Sequence, residues 1–276
     1  CRNKDFVIHL AAIIPPLADK KPALSWKVNV EGTRNLIKGI EKYSTNAFLL
    51  YSSSISVYGD RLKNPWIKVS DPLRPSEGDE YAKNKIEAEK IIQNSKLDWT
   101  IFRLTAIMGG HQISELMFHM PLETPLEIAT PEDTARAFVH ALNKRKQLSK
   151  KIFNLGGGEK CRIIYKDFLK RSFEISGLGK LNFPHKTFAE KNFHCGYYAD
   201  GDELENILHF RKDTIDTYFE KQKKKTNTIQ KFLTGIFKKP ILKHLKNKSE
   251  PLKAFLSKNN YLIQRFFNYN KFKLFF

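Results

Sequence analysis

Four short apolar runs, Phe6 to Leu10, Ala47 to Tyr51, Thr100 to Leu104 and Lys151 to Leu155, are nearly continuous rather than alternating. Strands of a parallel sheet covered on both faces read this way, because neither set of alternating side chains meets water. Between the first two runs, Asn29 to Tyr43 carries Val30, Leu36, Ile37 and Ile40 at helical spacing. Between the second and third, Tyr81 to Asn94 does the same with Ala82, Ile86, Ala88, Ile91 and Ile92. Strand and helix in alternation predict βαβ units and hence an α/β fold around a parallel sheet. Thr130-Pro131-Glu132-Asp133 opens another helix with a hydroxyl at the N-cap and proline in the first turn, its apolar face being Ala135, Phe138, Val139 and Leu142.

The pattern changes near Glu220. Ile229, Phe232, Leu233, Ile236 and Phe237 then recur at i, i+3, i+4, i+7 and i+8 between lysines, which predicts a short basic amphipathic helix broken at Pro240. Charge sharpens this boundary. The 276 residues hold 48 Lys+Arg against 29 Asp+Glu, a formal +19, and residues 221–276 contribute fifteen of the bases and one acid, Glu250. The tail therefore carries +14 of the +19, and the body is nearly balanced. At 41% hydrophobic residues the chain is not a disordered polyelectrolyte. Its three cysteines, Cys1, Cys161 and Cys195, form no CxxC, and there is no eighteen-residue apolar run; both point to a reducing, cytoplasmic setting.

Candidate chemistry gathers after the second strand, in Ser52-Ser53-Ser54-Ile55-Ser56-Val57-Tyr58-Gly59, with Tyr81-Ala82-Lys83-Asn84-Lys85 downstream. Tyr81 and Lys85 are four apart and share a helix face. Tyrosine is a poor base at neutral pH, with an ordinary pKa of about 10, and a neighbouring ammonium favours its phenolate. A serine hydroxyl at a strand's carboxyl end can bond the same substrate oxygen, and the three groups then form a proton relay for a carbinol or carbonyl.

Taken in order, Val7-Ile8-His9-Leu10-Ala11-Ala12, Asn29-Val30-Glu31-Gly32-Thr33-Arg34-Asn35-Leu36, Ser52 to Gly59, Tyr81 with Lys85, and Phe102-Arg103-Leu104 resemble the extended short-chain dehydrogenase/reductase superfamily, specifically its NAD-dependent epimerase/dehydratase family. The resemblance runs over residues 5–160. It implies a Rossmann-like doubly wound parallel sheet, with Tyr81 as acid/base, Lys85 holding the nicotinamide ribose, and Ser54 orienting the substrate oxygen, with Ser53 as the alternative. It also implies cofactor contacts at Ala11 and Ala12, support from Asn29, and NAD or NADP as cofactor, the hydride chemistry belonging to the nicotinamide. The family's Gly-rich pyrophosphate turn and first three strands are expected ahead of residue 1, so the chain reads as N-terminally truncated. Family members often dimerise through helices corresponding to the Asn29 and Tyr81 segments, which makes a homodimer an expectation.

The expected organisation is a partial NAD(P)-binding domain over 1–158, a small substrate-side lobe over 159–220 and a basic tail over 221–276. About twenty residues separate Gly109 from Thr130, where the family's sugar-nucleotide enzymes spend far more. The expected activity is an epimerase/dehydratase-type oxidation and reduction of a small carbinol or carbonyl, sugar-derived in part of the family. The alternative is a non-catalytic, membrane-associated scaffold of the same fold. For the tail, phenylalanines 232, 237, 255, 266, 267, 272, 275 and 276 among lysines suggest peripheral docking on an anionic membrane. Packing against the body competes with that reading, and nucleic acid has no motif behind it. Elsewhere, His9 reads as a core histidine and Gly156 to Gly158 as a turn. The spacing of His185, His194 and Cys195 fits no metal-ligand pattern. Arg103 reads equally as a substrate group or as the partner of a structural carboxylate.

Overall fold

The computed structural model describes residues 1–109 and 115–268. Its centre is a four-stranded parallel sheet of β1 (Phe6–His9), β2 (Phe48–Ser54), β3 (Asp98–Leu104) and β4 (Lys151–Leu155), in that spatial order. Ile8 lies opposite Leu50, Tyr51 opposite Ile101, and Ile101 opposite Ile152. β2 is buried along nearly its whole length, which is why its sequence runs apolar without alternation. β1 is an edge of this sheet, and Phe6 and Ile8 are about two-fifths exposed.

Two layers of helices cover the sheet. On one face α1 (Gly32–Tyr43) and α2 (Glu80–Gln93) bring Ile37, Ile40, Ala88 and Ile92 onto Leu49, Tyr51, Trp99 and Ile101. On the other, α3 (Pro131–Ala141) sets Ala137, Phe138 and Ala141 on Phe48, Leu50, Phe102 and Phe153. Each such large side chain removed from water contributes roughly 1.5–3 kcal/mol. The caps are local and chemical: Asp79 accepts from Ala82 N at 2.8 Å at the start of α2, and Thr130 accepts from Asp133 N at 3.2 Å at the start of α3. A single π-turn, Lys27–Glu31, precedes α1 and carries Asn29.

A second apolar cluster joins Phe118, Leu126 and Ile128 to Tyr165, Phe168 and Phe173 of α4 (Tyr165–Ser176) and to Tyr218 and Phe219 of α5 (Ile215–Lys225). The glycine run 156–158 is a turn that lies on the strand Pro125–Ala129. A Cβ on Gly157 would stand 2.3 Å from Ile128 O, so only glycine allows this approach.

The tail forms α6 (Thr228–Ile236), α7 (Lys238–Asn247) and two further short helices, Glu250–Leu256 and Asn260–Phe266. The break falls before Pro240 rather than at it. Proline sits in the first turn of α7, where its missing N–H costs no helical hydrogen bond. Phe266 and Phe267 are buried with Ala189, Ala254 and Ile263, so for these two residues packing displaces the membrane expectation; Phe272, Phe275 and Phe276 lie outside the described residues. No helix among the described residues is long and apolar enough to cross a membrane.

Candidate active site

The carboxyl ends of β1 and β2 and the first turns of α2 meet at one place. Ser54 ends β2 and turns the chain into a 3-10 turn, Ile55–Tyr58, its Oγ accepting from Ser56 N at 3.2 Å. The Tyr81 phenol lies close enough to the Ser54 side chain for that hydroxyl to favour its ionised form. One helical turn on, Lys85 is 2% exposed and its Nζ donates to Ser52 O at 2.6 Å. The same Nζ stands 4.6 Å from the centre of the Tyr51 ring and 5.5 Å from that of Tyr81. The structure thus brings Ser54, Tyr81 and Lys85 together. Ser53 Oγ is buried without a hydrogen-bond partner among the described residues.

Burial works against charge here. It pushes the Lys85 ammonium down to about 7, with Glu89 opposing the shift. It raises the Tyr81 phenol, an effect reduced by the Ser54 hydroxyl and reinforced by the Asp79 carboxylate. His9, at the end of β1, is held at about 4 by burial and by Lys85, so it is neutral at pH 7. Its Nε2 meets Thr33 Oγ1 at 2.8 Å and its ring lies 5.3 Å from Tyr51. This is a satisfied buried histidine, but one that closes the wall around Lys85.

Asn29 works through the backbone. Its Oδ1 accepts from Ile13 N at 2.7 Å and its Nδ2 donates to Ile13 O at 2.9 Å, fixing the loop that follows Ala11 and Ala12. Ala11 is exposed and Ala12 half-buried beyond the end of β1. Nδ2 also reaches Ser25 Oγ at 3.1 Å, and Asn84 of α2 donates to that hydroxyl at 2.6 Å. The Ser25 to Asn84 link, which ties the loop to α2, has no sequence signal beyond three small polar residues far apart.

Arg103 pairs with a structural carboxylate. Its Nε and Nη2 donate to the two oxygens of Glu89 at 3.0 and 2.7 Å, and its Nη1 donates to Tyr58 OH at 2.7 Å. Tyr58 donates on to Asn154 at 2.8 Å. His194 Nδ1 lies 2.8 Å from Asp79 Oδ2. A cavity of about 530 Å³ lies elsewhere, lined by Pro121, Leu122, Phe183 and His185 among others and by none of Ser54, Tyr81 and Lys85.

Lys85 also answers whether these residues fit a nicotinamide cofactor. It is a buried cation with no carboxylate at ion-pair distance among the described residues, and one of its three donors is used by Ser52 O. A ribose diol offers such an ammonium acceptors without adding charge, so the fit holds at the ribose end. The 276 residues contain no Gly-x-Gly-x-x-Gly, and a pyrophosphate cradle is not among the groups assembled here.

Residues 2–121 match the model of the NAD dependent epimerase/dehydratase family. Uncharacterized epimerase/dehydratases of Staphylococcus aureus strains USA300 and N315 are each 28% identical over 92 residues, 32% of this chain and 26% of theirs. The chain therefore matches about a quarter of the length of these relatives. Among solved structures, the UDP-glucuronic acid 4-epimerase of Bacillus cereus, in complex with UDP-glucuronic acid and NAD, is 20% identical with a TM-score of 0.64 over 80% of this chain and 74% of that one. RMD of Pseudomonas aeruginosa, complexed with NADPH, is 18% identical with a TM-score of 0.64 over 80% of this chain and 79% of that one. These likenesses show a shared Rossmann-like fold.

Proposed function

We propose, from the match of residues 2–121 to the model of the NAD dependent epimerase/dehydratase family, an NAD(P)-dependent epimerase/dehydratase-type oxidoreductase acting on a sugar-derived carbinol or carbonyl. The observation that carries this reading is the approach of Tyr81 to Ser54, one turn from a buried Lys85 that has no carboxylate at ion-pair distance among the described residues. The nicotinamide, when bound, supplies the hydride acceptor and donor. Lys85 and Tyr81 would hold its ribose, with Ala11 and Ala12 leaving room for close approach to the backbone and Asn29 fixing the loop between them and α1.

The protein's own part is proton transfer. Ser54 orients the substrate oxygen, and Tyr81 takes the hydroxyl proton from a carbinol or returns one to a carbonyl. Protonated Lys85 favours the phenolate that burial disfavours, so the two ionisations are coupled. The sugar-derived substrate class is supported by solved relatives of the fold that carry UDP-glucose or UDP-glucuronic acid with NAD.

The test is turnover of the full-length protein with NAD or NADP and a panel of nucleotide sugars, followed by nicotinamide absorbance and product analysis. Tyr81→Phe is expected to reduce kcat by roughly 10²–10⁴ with an unchanged circular dichroism melt. Wild-type turnover by that variant would overturn the assignment of the acid/base.

A further inference from the structure

Helix α6 sits on the body the wrong way round for a core helix. Ile229, Phe232, Leu233, Ile236 and Phe237, which form its apolar stripe, are 67, 67, 46, 59 and 55% exposed, and no residue of α6 is buried. The face turned to the body is the opposite one, made by the backbone of Lys231 and by Gly235. Gly177, in the left-handed conformation that ends α4, lies so close that a Cβ on it would stand 2.4 Å from Lys231 O. A Cβ on Gly235 would stand 3.9 Å from Gly177 O. Approach through the Lys231 backbone and through Gly235, at i and i+4 on one face, leaves the large apolar side chains of the other face outward. Among the described residues nothing packs over that stripe closely enough to bury any of its members.

Charge identifies what covers it. Residues 221–249 contain ten lysines and no aspartate or glutamate. Lys225, Lys238 and Lys239 flank the stripe, and α7 continues with Lys243 and Lys246. A second copy of the chain, apposed about a twofold axis, would bring these lysines against their own equivalents. A phosphate-rich lipid surface instead offers apolar depth to the phenylalanines and opposite charge to the lysines at the same time.

We propose that α6 is an interfacial helix that seats the protein on anionic membrane surfaces, with Ile229, Phe232, Leu233, Ile236 and Phe237 entering the acyl boundary and the flanking lysines facing headgroup phosphates. The inference is independent of the catalytic assignment, since it uses none of its residues.

The experiment is cosedimentation of the full chain with vesicles of phosphatidylcholine alone and of phosphatidylcholine containing phosphatidylserine. Binding is expected to the second only, to weaken with added salt, and to fall by about 10-fold or more in Phe232→Glu/Phe237→Glu, because both apolar anchors are lost. Both side chains are exposed, so the double variant should keep the wild-type melt. The proposal is overturned by absence of binding to the anionic vesicles, or by equal binding of the wild type and the double variant. It is equally overturned by a wild-type dimer in light scattering that the double variant dissolves, or by preference for single-stranded RNA over the vesicles.

Discussion

Lys85 places its ammonium 5.5 Å from the ring centre of Tyr81, the residue four positions before it, in a pocket where that charge is only half retained at neutral pH. The Ser52 carbonyl and the Tyr51 face are its neighbours, and neither is an anion. Folding therefore works against its proton. The unfolded chain keeps that proton to about 10.5 and the folded chain only to about 7, so between these values the unfolded state holds more protons and stability rises with pH. Below about 7 the full penalty of burying the charge is present. Lys85→Met should flatten this rise: measured by urea unfolding at intervals between pH 6.5 and 10.5, the wild-type gain should exceed that of the variant. Parallel profiles would show that Lys85 is not desolvated as described.

His9 acts in a lower window. Its folded value of about 4 lies below the ordinary 6.5, so the unfolded state binds more protons between the two and stability falls as pH drops through that interval. His9→Gln keeps a polar partner for Thr33 and removes the titration. Its unfolding free energy should fall less than the wild type's between pH 7 and 4.5. An identical slope in both proteins would assign the acid limb to other groups.

Much of the layout was legible because it rests on burial and periodicity. β2 and β3 are covered on both faces, so their central residues run apolar without alternation, whereas α1 and α2 touch the sheet on one side and show a period of 3.6. The tail was harder to read for a related reason. Phe232 and Phe266 have the same neighbours in composition, yet one is 67% exposed and the other 2%, because the second meets Ala189 and Ala254, whose position depends on the tertiary fold. The helix α5 begins at Thr214 with Thr217 reciprocating the cap, a box without the usual glutamate or glutamine, so it carried little signal. Arg103 could not be assigned from the chain alone, since Glu89, its partner, precedes it by fourteen residues on a different element.

That buried pair makes a third prediction. Arg103 and Glu89 are 4% and 1% exposed, and their fork is completed by Tyr58 OH and Val69 O. Removing either partner leaves a charge stranded in the interior, which costs about 3–5 kcal/mol, whereas removing both removes the reason for the cost. Glu89→Met and Arg103→Met should each lower the urea midpoint strongly. The combination Glu89→Met/Arg103→Met should recover a large part of the loss. Additive losses in the double variant would mean that the pair is not coupled in the folded state.

Asp79 separates two effects on Tyr81 that ordinary truncation would merge. One oxygen caps α2 by accepting from Ala82 N, while the carboxylate as a whole raises the phenol of Tyr81 and lies against His194. Asparagine caps about as well as aspartate, but alanine does not, at a cost of about 1 kcal/mol. Asp79→Ala should therefore lower stability, whereas Asp79→Asn should largely preserve the cap and remove the negative charge. With that charge gone the phenolate is less disfavoured, so the basic group seen in the pH dependence of kcat/KM should titrate at lower pH in Asp79→Asn. The measurement is the pH–rate profile of the full-length enzyme with its cofactor and substrate, beside thermal melts of both variants. A profile that stays in place while the alanine variant loses stability would confine Asp79 to capping, and a profile that moves would make it a positioning residue for Tyr81.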